Sequence, residues 1–463
     1  MTTLIYTTCL GLFCMLAEVL NLRKLLVPAI IIGLTAIFVV NLQHWGITTP
    51  ATIGSVSVSH MIKMDNFAIA FSGLAIIISI LIFVLSANYY KDEQNQISDY
   101  LSIMVFVLCG ALVMFSYNNM AMLFLGIEIL SISLYIMAGS RRFDTRSNES
   151  GMKYFLMGAF ASGFLLFGIA LIYGASGTFE LEGISKYIAA GEVVPMFYLG
   201  VTLLLFAMLF KVSAVPFHFW SPDVYEGAPA LITAFMSTLV KVAAFAALYR
   251  LFSHCLGGTM YYVEPLLIIV TGATIMVGNV IALSQINVKR ILAYSGIAHA
   301  GYMLLGVLSS QGNAASSVFF YAGAYAIATI GLFAIAIMTF KSNHSENVEA
   351  FNGLAKKNPF AAALISIFML SLAGIPPFAG FLGKYYIFSE AIRNGYVTLT
   401  LFAVVNSIIA VYYYLKVVIA MYSQPANDKP LVIHPTYMVV AIICALTTIG
   451  LTIVPDMLMQ ILK

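Results

Sequence analysis

Three lysines and one glutamate occupy places in this sequence where a charge is costly. Lys211, Lys241 and Lys384 lie in the apolar runs FAMLFK, ITAFMSTLVK and AGFLGKYYIF, and Glu128 lies in MAMLFLGIEILSISLYIMAG. A charge at the centre of a bilayer costs roughly 2.5 to 3.5 kcal/mol, so such groups face protein or water and are functional by default. Desolvation can bring a lysine within range of proton exchange near neutral pH, which arginine cannot match. We therefore predict that these lysines relay protons.

Glu128 is the predicted partner of Lys211. It is the only one of nineteen acidic residues that falls near the middle of an apolar run. An opposite charge within about 4 to 6 Å would keep its carboxylate ionised. A change of charge near Glu128 would then change whether Lys211 holds its proton. The alternative is a structural ion pair that only fixes two helices to each other.

Two histidines and a fourth lysine are further candidates. His299, in ILAYSGIAHAGYMLLG, is either a relay residue or a packed side chain, and Ser295 and Tyr302 are able to satisfy it in both cases. Lys153 follows the basic loop RRFDTR, and it is either a relay residue or a side chain that snorkels to the interface. His218, in the motif VPFHFW, is a candidate for a cytoplasmic mouth that takes up protons.

Other polar residues have plainer interpretations. Trp220 and Asp223 either belong to the same mouth or act as an interfacial anchor and a helix cap. Lys416 is expected to snorkel, and Tyr412 to Tyr414 indicate a membrane interface instead of a quinone site. The five cysteines form no C-x-x-C pair and no Cys/His cluster, so the sequence predicts small buried hydrophobes and neither a metal site nor a disulfide.

Many apolar helices must position these residues. The chain has 61% hydrophobic and 9% charged residues and a mean hydropathy of +0.97, whereas soluble domains are about one quarter charged. A membrane span needs about 20 apolar residues, so the sequence predicts an all-α polytopic membrane protein of about 14 transmembrane helices without a sizeable soluble domain. It contains no Walker loop, dinucleotide fingerprint, zinc motif or nucleophile elbow. ATP-driven transport and autonomous redox chemistry therefore lose support.

Proline interrupts two of the predicted spans. Pro216 falls in the seventh, residues 195–220, and Pro376 and Pro377 fall in the twelfth, residues 358–390. Each break removes a backbone donor, and freed carbonyls at membrane depth are tolerated only beside protein or a wet cavity. Because the breaks are five spans apart, the two helices run in opposite directions. This predicts inverted five-helix repeats, helices 4–8 and 9–13, with ion sites at the broken helices 7 and 12.

The basic residues predict an orientation. Alternate loops, starting with the first, carry more lysine and arginine than the others, which places them in the cytoplasm and both termini on the periplasmic side. The richer set is Arg23, Lys24, Lys91, Arg141, Arg142, Arg146, Lys289, Arg290, Lys341, Lys356, Lys357 and Lys429, and the poorer set is Lys63, Lys186, Arg250, Arg393 and Lys463.

Four longer stretches carry a family resemblance. They are LFLGIEILSISLY, FKVSAVPFHFWSPDVYEGAP, ALSQINVKRILAYSGIAHAGYML and LSLAGIPPFAGFLGKYY. They look like the antiporter-like subunits of respiratory complex I, the NADH:quinone oxidoreductase, from the fourth span through the thirteenth. Among these the chain resembles the N-type, or complex I subunit 2, family. M-type relatives usually have glutamate where this chain has Lys384, and L-type relatives have an acid after that lysine and a long lateral helix at the C-terminus.

The resemblance implies an arrangement of domains and sites. Residues 1–99 would hold helices 1–3, residues 100–255 the first repeat, residues 256–425 the inverted second repeat, and residues 426–463 helix 14. By motif, Glu128 matches the family's glutamate of the fifth helix and Lys211 its partner in the seventh. Lys241 matches the connecting lysine of the eighth helix, and Lys384 the lysine of the twelfth.

The resemblance also implies a function. The chain would be a multi-pass subunit of the bacterial inner membrane that moves protons along a buried Glu/Lys/His axis, coupled to quinone reduction in other subunits. Its partners would be small multi-helix subunits, the M-type subunit and lipid, without nucleic acid. Flavin and iron–sulfur clusters would lie in partner subunits, quinone would bind elsewhere, and this chain would hold no cofactor or metal. The alternatives are a subunit of a multi-subunit cation/proton antiporter, a purely structural subunit and a stand-alone solute transporter.

Overall fold

The computed structural model describes residues 1–20, 22–47, 52–53, 56–90, 97–310, 314–425 and 432–462, and these are almost entirely helical, which confirms the all-α prediction. The α-helices are α1 (Thr2–Val19), α2 (Leu26–Gln43), α3 (Asn66–Tyr89), α4 (Ile97–Ser116), α5 (Met120–Ala138), α6 (Thr145–Ser176), α7 (Leu181–Ala189), α8 (Pro195–Lys211), α9 (Trp220–Gly227), α10 (Ala230–Phe235), α11 (Lys241–His254), α12 (Met260–Ser284), α13 (Val288–Leu308), α14 (Ala315–Asn343), α15 (Leu354–Lys357), α16 (Pro359–Ala373), α17 (Ala379–Arg393), α18 (Val397–Ser423), α19 (Pro435–Ile453) and α20 (Asp456–Met459). A π-helical turn, Met236–Val240, joins α10 to α11, and 3₁₀ turns lie at Arg23–Leu25, Gly257–Thr259 and Val348–Phe351. Strands β1 (Thr52–Ile53) and β2 (Val56–Ser57) form one antiparallel pair.

The predicted fourteen crossings are confirmed. In the described ranges, twelve helices are long and apolar enough to cross a membrane. Two more crossings consist of two helical pieces each, α8 with α9 and α16 with α17. These are the seventh and twelfth crossings in chain order, where the prolines predict breaks.

Each break begins with a residue in the left-handed conformation. Ser213 has φ of 61° after α8, and Gly374 has φ of 82° after α16. Glycine adopts this conformation without a side-chain clash, whereas serine at such a φ costs on the order of 1 to 3 kcal/mol unless its surroundings hold it. The helix then cannot resume immediately, because Pro216 and Pro377 have no N–H to donate.

Side chains of α9 and α12 hydrogen-bond the backbone groups that the first break leaves unpaired. The indole N–H of Trp220 donates to the Phe210 carbonyl at the end of α8 (3.0 Å), and the Val215 N–H donates to the Thr274 hydroxyl of α12 (2.9 Å). These bonds satisfy backbone groups that would otherwise be unpaired at membrane depth. Trp220 is buried and stacks on Tyr154, so its interpretation as an interfacial anchor is wrong.

The membrane-crossing helices of the two repeats follow the same order, when the short helices α7 and α15 are left aside. Helices α4, α5, α6, α8/α9 and α10/α11 are followed in the same order by α12, α13, α14, α16/α17 and α18. In each repeat the first helix crosses the second at a glycine. A Cβ on Gly110 would lie 2.6 Å from the Leu130 nitrogen, and one on Gly278 would lie 2.5 Å from the Ala298 nitrogen. Small residues permit this close approach of membrane helices.

The helices form an inner and an outer set. The crossing from α10 to α11, together with α13 and α14, is almost wholly surrounded by other helices. Helices α1, α2, α6, α18 and α19 bury only about a third of their length and expose large apolar side chains such as Leu16, Phe160, Leu401 and Leu446. This is the distribution expected when the outer helices face lipid or partner subunits and the inner ones hold the polar groups.

Two of the basic residues used for orientation are buried in helices and paired with carboxylates. Arg250 lies inside α11, is 1% exposed and pairs with Asp65 at 3.0 Å. Lys289 lies buried in the first turn of α13 and pairs with Glu346 at 2.8 Å. Paired, buried charges are weak evidence for orientation, because the rule rests on charges in loops. Three other residues used for orientation, Lys91, Lys429 and Lys463, fall outside the described residues.

Candidate functional site

Lys211 is the last residue of α8, and its side chain is buried against α5. Its ammonium donates to the Ser131 hydroxyl (2.9 Å) and to the Tyr135 hydroxyl (3.4 Å). Glu128, Ser131 and Tyr135 are spaced at three and four residues, so they share one face of α5. The carbonyl end of α8 carries a partial negative charge that favours an ammonium group there.

Glu128 does not contact Lys211 directly. Its carboxylate accepts a hydrogen bond from Ser162 of α6, and the two charged groups form no ion pair within 4.0 Å. The two residues are therefore connected through one face of α5. Glu128 lies on that face, and the Ser131 hydroxyl on the same face accepts a hydrogen bond from the Lys211 ammonium. A Cβ on Gly158 of α6 would lie 2.0 Å from the Tyr135 hydroxyl, so this glycine gives Tyr135 the space to reach Lys211.

Lys241 lies immediately after the π-helical turn and points at α13. Its ammonium donates to the main-chain carbonyl of Gly296 and lies 5.5 Å from the centre of the Tyr325 ring. A Cβ on Gly296 would lie 2.5 Å from the Lys241 nitrogen. Single π-helical turns occur frequently at functional sites, and this one sets the direction of the helix that carries the lysine.

His299 is held by two tyrosines that the sequence analysis did not connect with it. Its Nδ1 lies 2.6 Å from the Tyr321 hydroxyl of α14, and its Nε2 lies 3.0 Å from the Tyr414 hydroxyl of α18. Ser295 hydrogen-bonds Tyr414 instead of the histidine, and the Tyr302 ring lies nearly perpendicular to the imidazole with the ring centres 6.0 Å apart. The expectation that Ser295 and Tyr302 satisfy the imidazole is wrong, because they hydrogen-bond other groups.

Lys384 lies at the second break. Its ammonium donates to the carbonyl of Ala373, the last residue of α16 (2.8 Å), and lies 5.1 Å from the centre of the Tyr302 ring. A Cβ on Gly374 would lie 2.9 Å from the ammonium nitrogen, so this residue must be glycine on two counts, its φ and this approach. Lys384 thus meets the negative end of α16 in the way that Lys211 meets the end of its own helix.

One face of α13 gathers three of the predicted site residues. Gly296, His299 and Tyr302 follow one another at three-residue spacing, which places them along one side of the helix. Lys241 contacts the first, and Lys384 lies against the third. The structure therefore brings Lys241, His299 and Lys384 together around α13, whereas Lys211 and Glu128 belong to a separate group around α5.

Lys153 and Asp223 belong to a charged cluster at the surface, which also includes Arg146, Glu149 and Arg290. Lys153 pairs with Glu149 (2.7 Å) and Asp223 (2.8 Å), and Asp223 also pairs with Arg290 (2.9 Å). Asp223 lies within α9 and caps no helix end there, so that interpretation is wrong. The cluster borders a cavity of about 280 Å³.

His218 lies in the first break and is 4% exposed. Its Nδ1 is buried and has no hydrogen-bond partner among the described residues, and its ring packs on Phe219. A buried imidazole nitrogen without a partner is costly unless water reaches it. His218 lies in the break between α8 and α9, the helix that carries Asp223, and no hydrogen bond or ring contact among the described residues joins it to the α13 group.

Tyr413 and Tyr414 are residues of the site that the sequence analysis assigned to a membrane interface. Both are 1% exposed, whereas Tyr412 is 64% exposed. Tyr414 bonds His299, and Tyr413 donates to Asn279 of α12 (3.1 Å). Helical periodicity could have separated Tyr412 from its neighbours, but it could not have named the residues they face. Lys416, expected to snorkel, is part-buried and donates to the Gln285 carbonyl (2.9 Å).

Metal ligands are not clustered in the described part of the chain, where no group of three His, Cys, Asp or Glu side chains could hold an ion. Cys14, Cys109, Cys255 and Cys444 are buried free thiols, and Cys9 is exposed. The groups that converge on α13 are instead ammonium, imidazole and phenol. Such groups exchange protons through hydrogen bonds.

Comparison with known proteins identifies the family and the fold of the chain. Residues 117–410 match the family described as NADH:quinone oxidoreductase/Mrp antiporter, TM. The chain is 44% identical to the NADH-quinone oxidoreductase subunit N of Flavobacterium psychrophilum over 100% of both chains. It superposes on a chain of respiratory complex I from Thermus thermophilus with a TM-score of 0.83 and 30% identity, covering 99% of this chain and 98% of that one.

A second solved structure shares the fold. A chain of the Mrp complex from Dietzia sp. DQ12-45-1b superposes with a TM-score of 0.88 at 21% identity, covering 99% of this chain and 95% of that chain. The match to residues 117–410 spans more than half of the sequence, and the relatives align over its full length. The chain therefore belongs to the NADH:quinone oxidoreductase/Mrp antiporter family of membrane proteins.

Proposed function

We propose that this chain is the N-type, proton-translocating membrane subunit of a bacterial NADH-quinone oxidoreductase. Relatives of full length bear that name, and a chain of respiratory complex I superposes on nearly all of it. Its partners would be the other membrane subunits, the small multi-helix ones and the M-type, with lipid around them. Electron transfer would take place on flavin and iron–sulfur clusters in partner subunits, and quinone would bind outside this chain.

One observation carries the proposal. Lys241 and Lys384 are each buried, and each donates to a single main-chain carbonyl while facing an aromatic ring. In the described residues neither forms an ion pair with a carboxylate within 4.0 Å. A lysine locked in a buried ion pair would release its proton only at the cost of an unpaired carboxylate. These two lack that obstacle, which suits them to pass protons on.

The proposed path runs from the α5 group to the α13 group. A change of charge near Glu128 alters the proton affinity of Lys211, and protons then pass by Lys241 and His299 to Lys384. The Tyr321 and Tyr414 hydroxyls on either side of His299 can donate and accept in turn, so they extend the path through side chains. Protons would be taken up near Lys153 and His218, beside the charged cluster, and this side would be cytoplasmic.

The proposed organisation follows the repeats. Residues 1–99 form the N-terminal helices, 100–255 the first repeat, 256–425 the inverted second repeat and 426–463 the last helix. Both termini would lie on the periplasmic side. The boundary between the repeats falls between α11, which carries Lys241, and α12, so the path crosses from one repeat to the other where Lys241 meets α13.

A subunit of a multi-subunit cation/proton antiporter is the second candidate, because a chain of the Mrp complex shares the fold. The buried lysines would serve either assembly. Copurification distinguishes them: we expect the tagged chain, solubilised from its native membrane, to bring down subunits that oxidise NADH. Isolation with antiporter subunits alone would favour the second candidate.

The test of the path uses the purified complex in proteoliposomes. Lys211→Met, Lys241→Met and Lys384→Met should each lower the number of protons translocated per NADH oxidised. Lys416→Met is the matched control, because Lys416 is part-buried and donates to a carbonyl outside the path. If all three variants translocate protons at the wild-type ratio, the lysines are structural and the path is wrong.

A further inference from the structure

Asn279 of α12 lies in the middle of the buried polar groups around α13 and is 0% exposed. Its amide nitrogen donates to the Ile275 carbonyl (2.9 Å) and to the Tyr302 hydroxyl (3.0 Å), and its amide oxygen accepts from the Tyr413 hydroxyl (3.1 Å). Three helices, α12, α13 and α18, are thus joined through one side chain.

The direction of these hydrogen bonds is fixed by chemistry. The Ile275 carbonyl can only accept, so the amide nitrogen of Asn279 must face it. The amide oxygen then faces Tyr413, which must donate. Tyr302 consequently accepts from Asn279, and its own hydroxyl hydrogen points elsewhere. An amide turned the other way would place two oxygens against each other in a buried site.

The helix crossing explains why Asn279 can reach both tyrosines. A Cβ on Gly278, its neighbour, would lie 2.5 Å from the Ala298 nitrogen, and one on Gly301 would lie 2.5 Å from the Ile275 side chain. Helices α12 and α13 therefore approach as closely as two backbones permit. A short side chain from α12 can then reach Tyr302.

Both tyrosines adjoin the proposed path. The centre of the Tyr302 ring lies 5.1 Å from the Lys384 ammonium and 6.0 Å from the centre of the His299 ring, with the two rings nearly perpendicular. Tyr413 precedes Tyr414, whose hydroxyl lies 3.0 Å from His299. Asn279 itself has no contact with a lysine or with His299 among the described hydrogen bonds and ring contacts, so any influence on them passes through the tyrosines.

We propose that Asn279 is a positioning residue that holds Tyr302 and Tyr413 in place, and thereby keeps the Tyr302 ring beside both His299 and the Lys384 ammonium during proton transfer. The inference rests on the proposed function of Lys384. Without the amide, Tyr302 and Tyr413 lose a buried partner, their rings become free to turn, and the geometry between His299 and Lys384 is no longer fixed.

The test compares variants of the whole complex in proteoliposomes by protons translocated per NADH oxidised. Asn279→Leu and Tyr302→Phe should each reproduce most of the loss caused by Lys384→Met, with NADH oxidation retained. The double variant Asn279→Leu/Tyr302→Phe should lose less than the sum of the two single losses, because both changes break the bond between Asn279 and Tyr302. Asn406→Leu is the matched control: Asn406 is buried but donates only to Phe402 of its own helix (2.9 Å).

Each outcome decides something. Tyr302→Phe removes only one oxygen atom, so the loss of the hydrogen bond to Asn279 can still be measured if the Asn279→Leu complex fails to assemble. If Lys384→Met lowers the ratio while Asn279→Leu or Tyr302→Phe translocates as wild type, the positioning role is refuted and the path stands. Losses that simply add in the double variant also refute it, because the two residues then act separately. If Lys384→Met has no effect while Lys211→Met and Lys241→Met lower the ratio, Lys384 is not part of the path and this inference fails, whereas the proposed function of the chain stands.

Discussion

The ammonium of Lys384 caps the C-terminal end of α16 by donating a hydrogen bond to the Ala373 carbonyl (2.8 Å). The break after α16 frees that carbonyl, and the proposed proton carrier satisfies it. A neutral amine still has N–H donors, so the bond can persist whether or not Lys384 holds its proton. The broken helix can therefore stay intact through a cycle of protonation.

Lys384→Gln and Lys384→Met should separate these two roles. Glutamine has an amide donor for the Ala373 carbonyl but carries no exchangeable charge, so we expect proton translocation to fall while stability is kept. Methionine leaves a buried carbonyl unpaired, which costs about 1 to 3 kcal/mol. Thermal unfolding of the purified complex should show a lower midpoint for methionine than for glutamine. Equal midpoints would contradict the capping role.

Gly296→Ala should block the approach of Lys241 to α13. The added methyl would lie 2.5 Å from the ammonium nitrogen and 3.1 Å from the Tyr325 hydroxyl, so the ammonium must shift from its present position, and we expect its bond to the Gly296 carbonyl to weaken. We expect fewer protons per NADH in proteoliposomes. Gly272→Ala of α12 is the control, because its methyl would meet only a Leu399 side-chain carbon at 3.5 Å. Wild-type translocation by Gly296→Ala would show that this contact is dispensable.

Gly158→Ala tests the group around α5. The new methyl would lie 2.0 Å from the Tyr135 hydroxyl and force that ring away from Lys211. We expect reduced proton translocation, measured as above. Gly163 lies on the same helix with nothing within 4 Å of an added methyl, so Gly163→Ala should behave as wild type. Identical behaviour of the two variants would remove Tyr135 from the site.

Tyr414→Phe should impair the relay at His299. The change deletes the hydroxyl that lies between the imidazole and Ser295. The Nε2 of His299 and the Ser295 hydroxyl then each lose this hydrogen bond, while the His299 Nδ1 keeps its bond to Tyr321. We expect fewer protons translocated per NADH oxidised, with NADH oxidation retained. Tyr437 is also buried, but its hydroxyl has no hydrogen-bond partner among the described residues, so Tyr437→Phe is a matched control. Equal ratios in the two variants would leave His299 as packing only.

The Asp65–Arg250 pair predicts a defined pH dependence of stability. Burial would raise the pKa of Asp65, but the Arg250 charge and hydrogen bonds, with the Ala68 N–H, outweigh it and lower the pKa. The pair's contribution is therefore full above the ordinary value of about 3.9 and is lost as pH falls through the lower folded value.

Asp65→Asn leaves Arg250 buried without its carboxylate, so we expect a loss of about 3 kcal/mol. Thermal unfolding in detergent should show a constant difference from wild type between pH 8 and about 5, shrinking below about 4. A difference that already shrinks between pH 7 and 5 would contradict the lowered pKa.

Much of the fold follows from local patterns. Apolar runs of sufficient length predict the fourteen crossings, and Pro216 and Pro377 predict the two breaks, because their physics is local to the backbone. Orientation follows less directly from such patterns, since the rule counts basic residues in loops, and Arg250 and Lys289 are buried in helices and paired with carboxylates. A sequence does not distinguish a solvated charge near a span from a buried one.

The sequence predicts the charged residues of the candidate site but not the contacts that they make. Glu128 and the three lysines stand out because charge in an apolar run is costly wherever the run packs. Asn279, Tyr321, Tyr413 and Tyr414 give no such signal, because a polar residue that is uncharged is common in membrane helices. Their roles arise from neighbours far away in the chain.

By itself the sequence determined that charged groups lie within membrane spans, that two spans are broken and that the chain resembles antiporter-like subunits. The tertiary structure alone decided that Lys241, His299 and Lys384 share one face of α13, that Glu128 is not in direct contact with Lys211, and that tyrosines hold the histidine. The physical reason is that helical spacing defines which residues share a face, whereas the residues opposite that face depend on how distant helices pack.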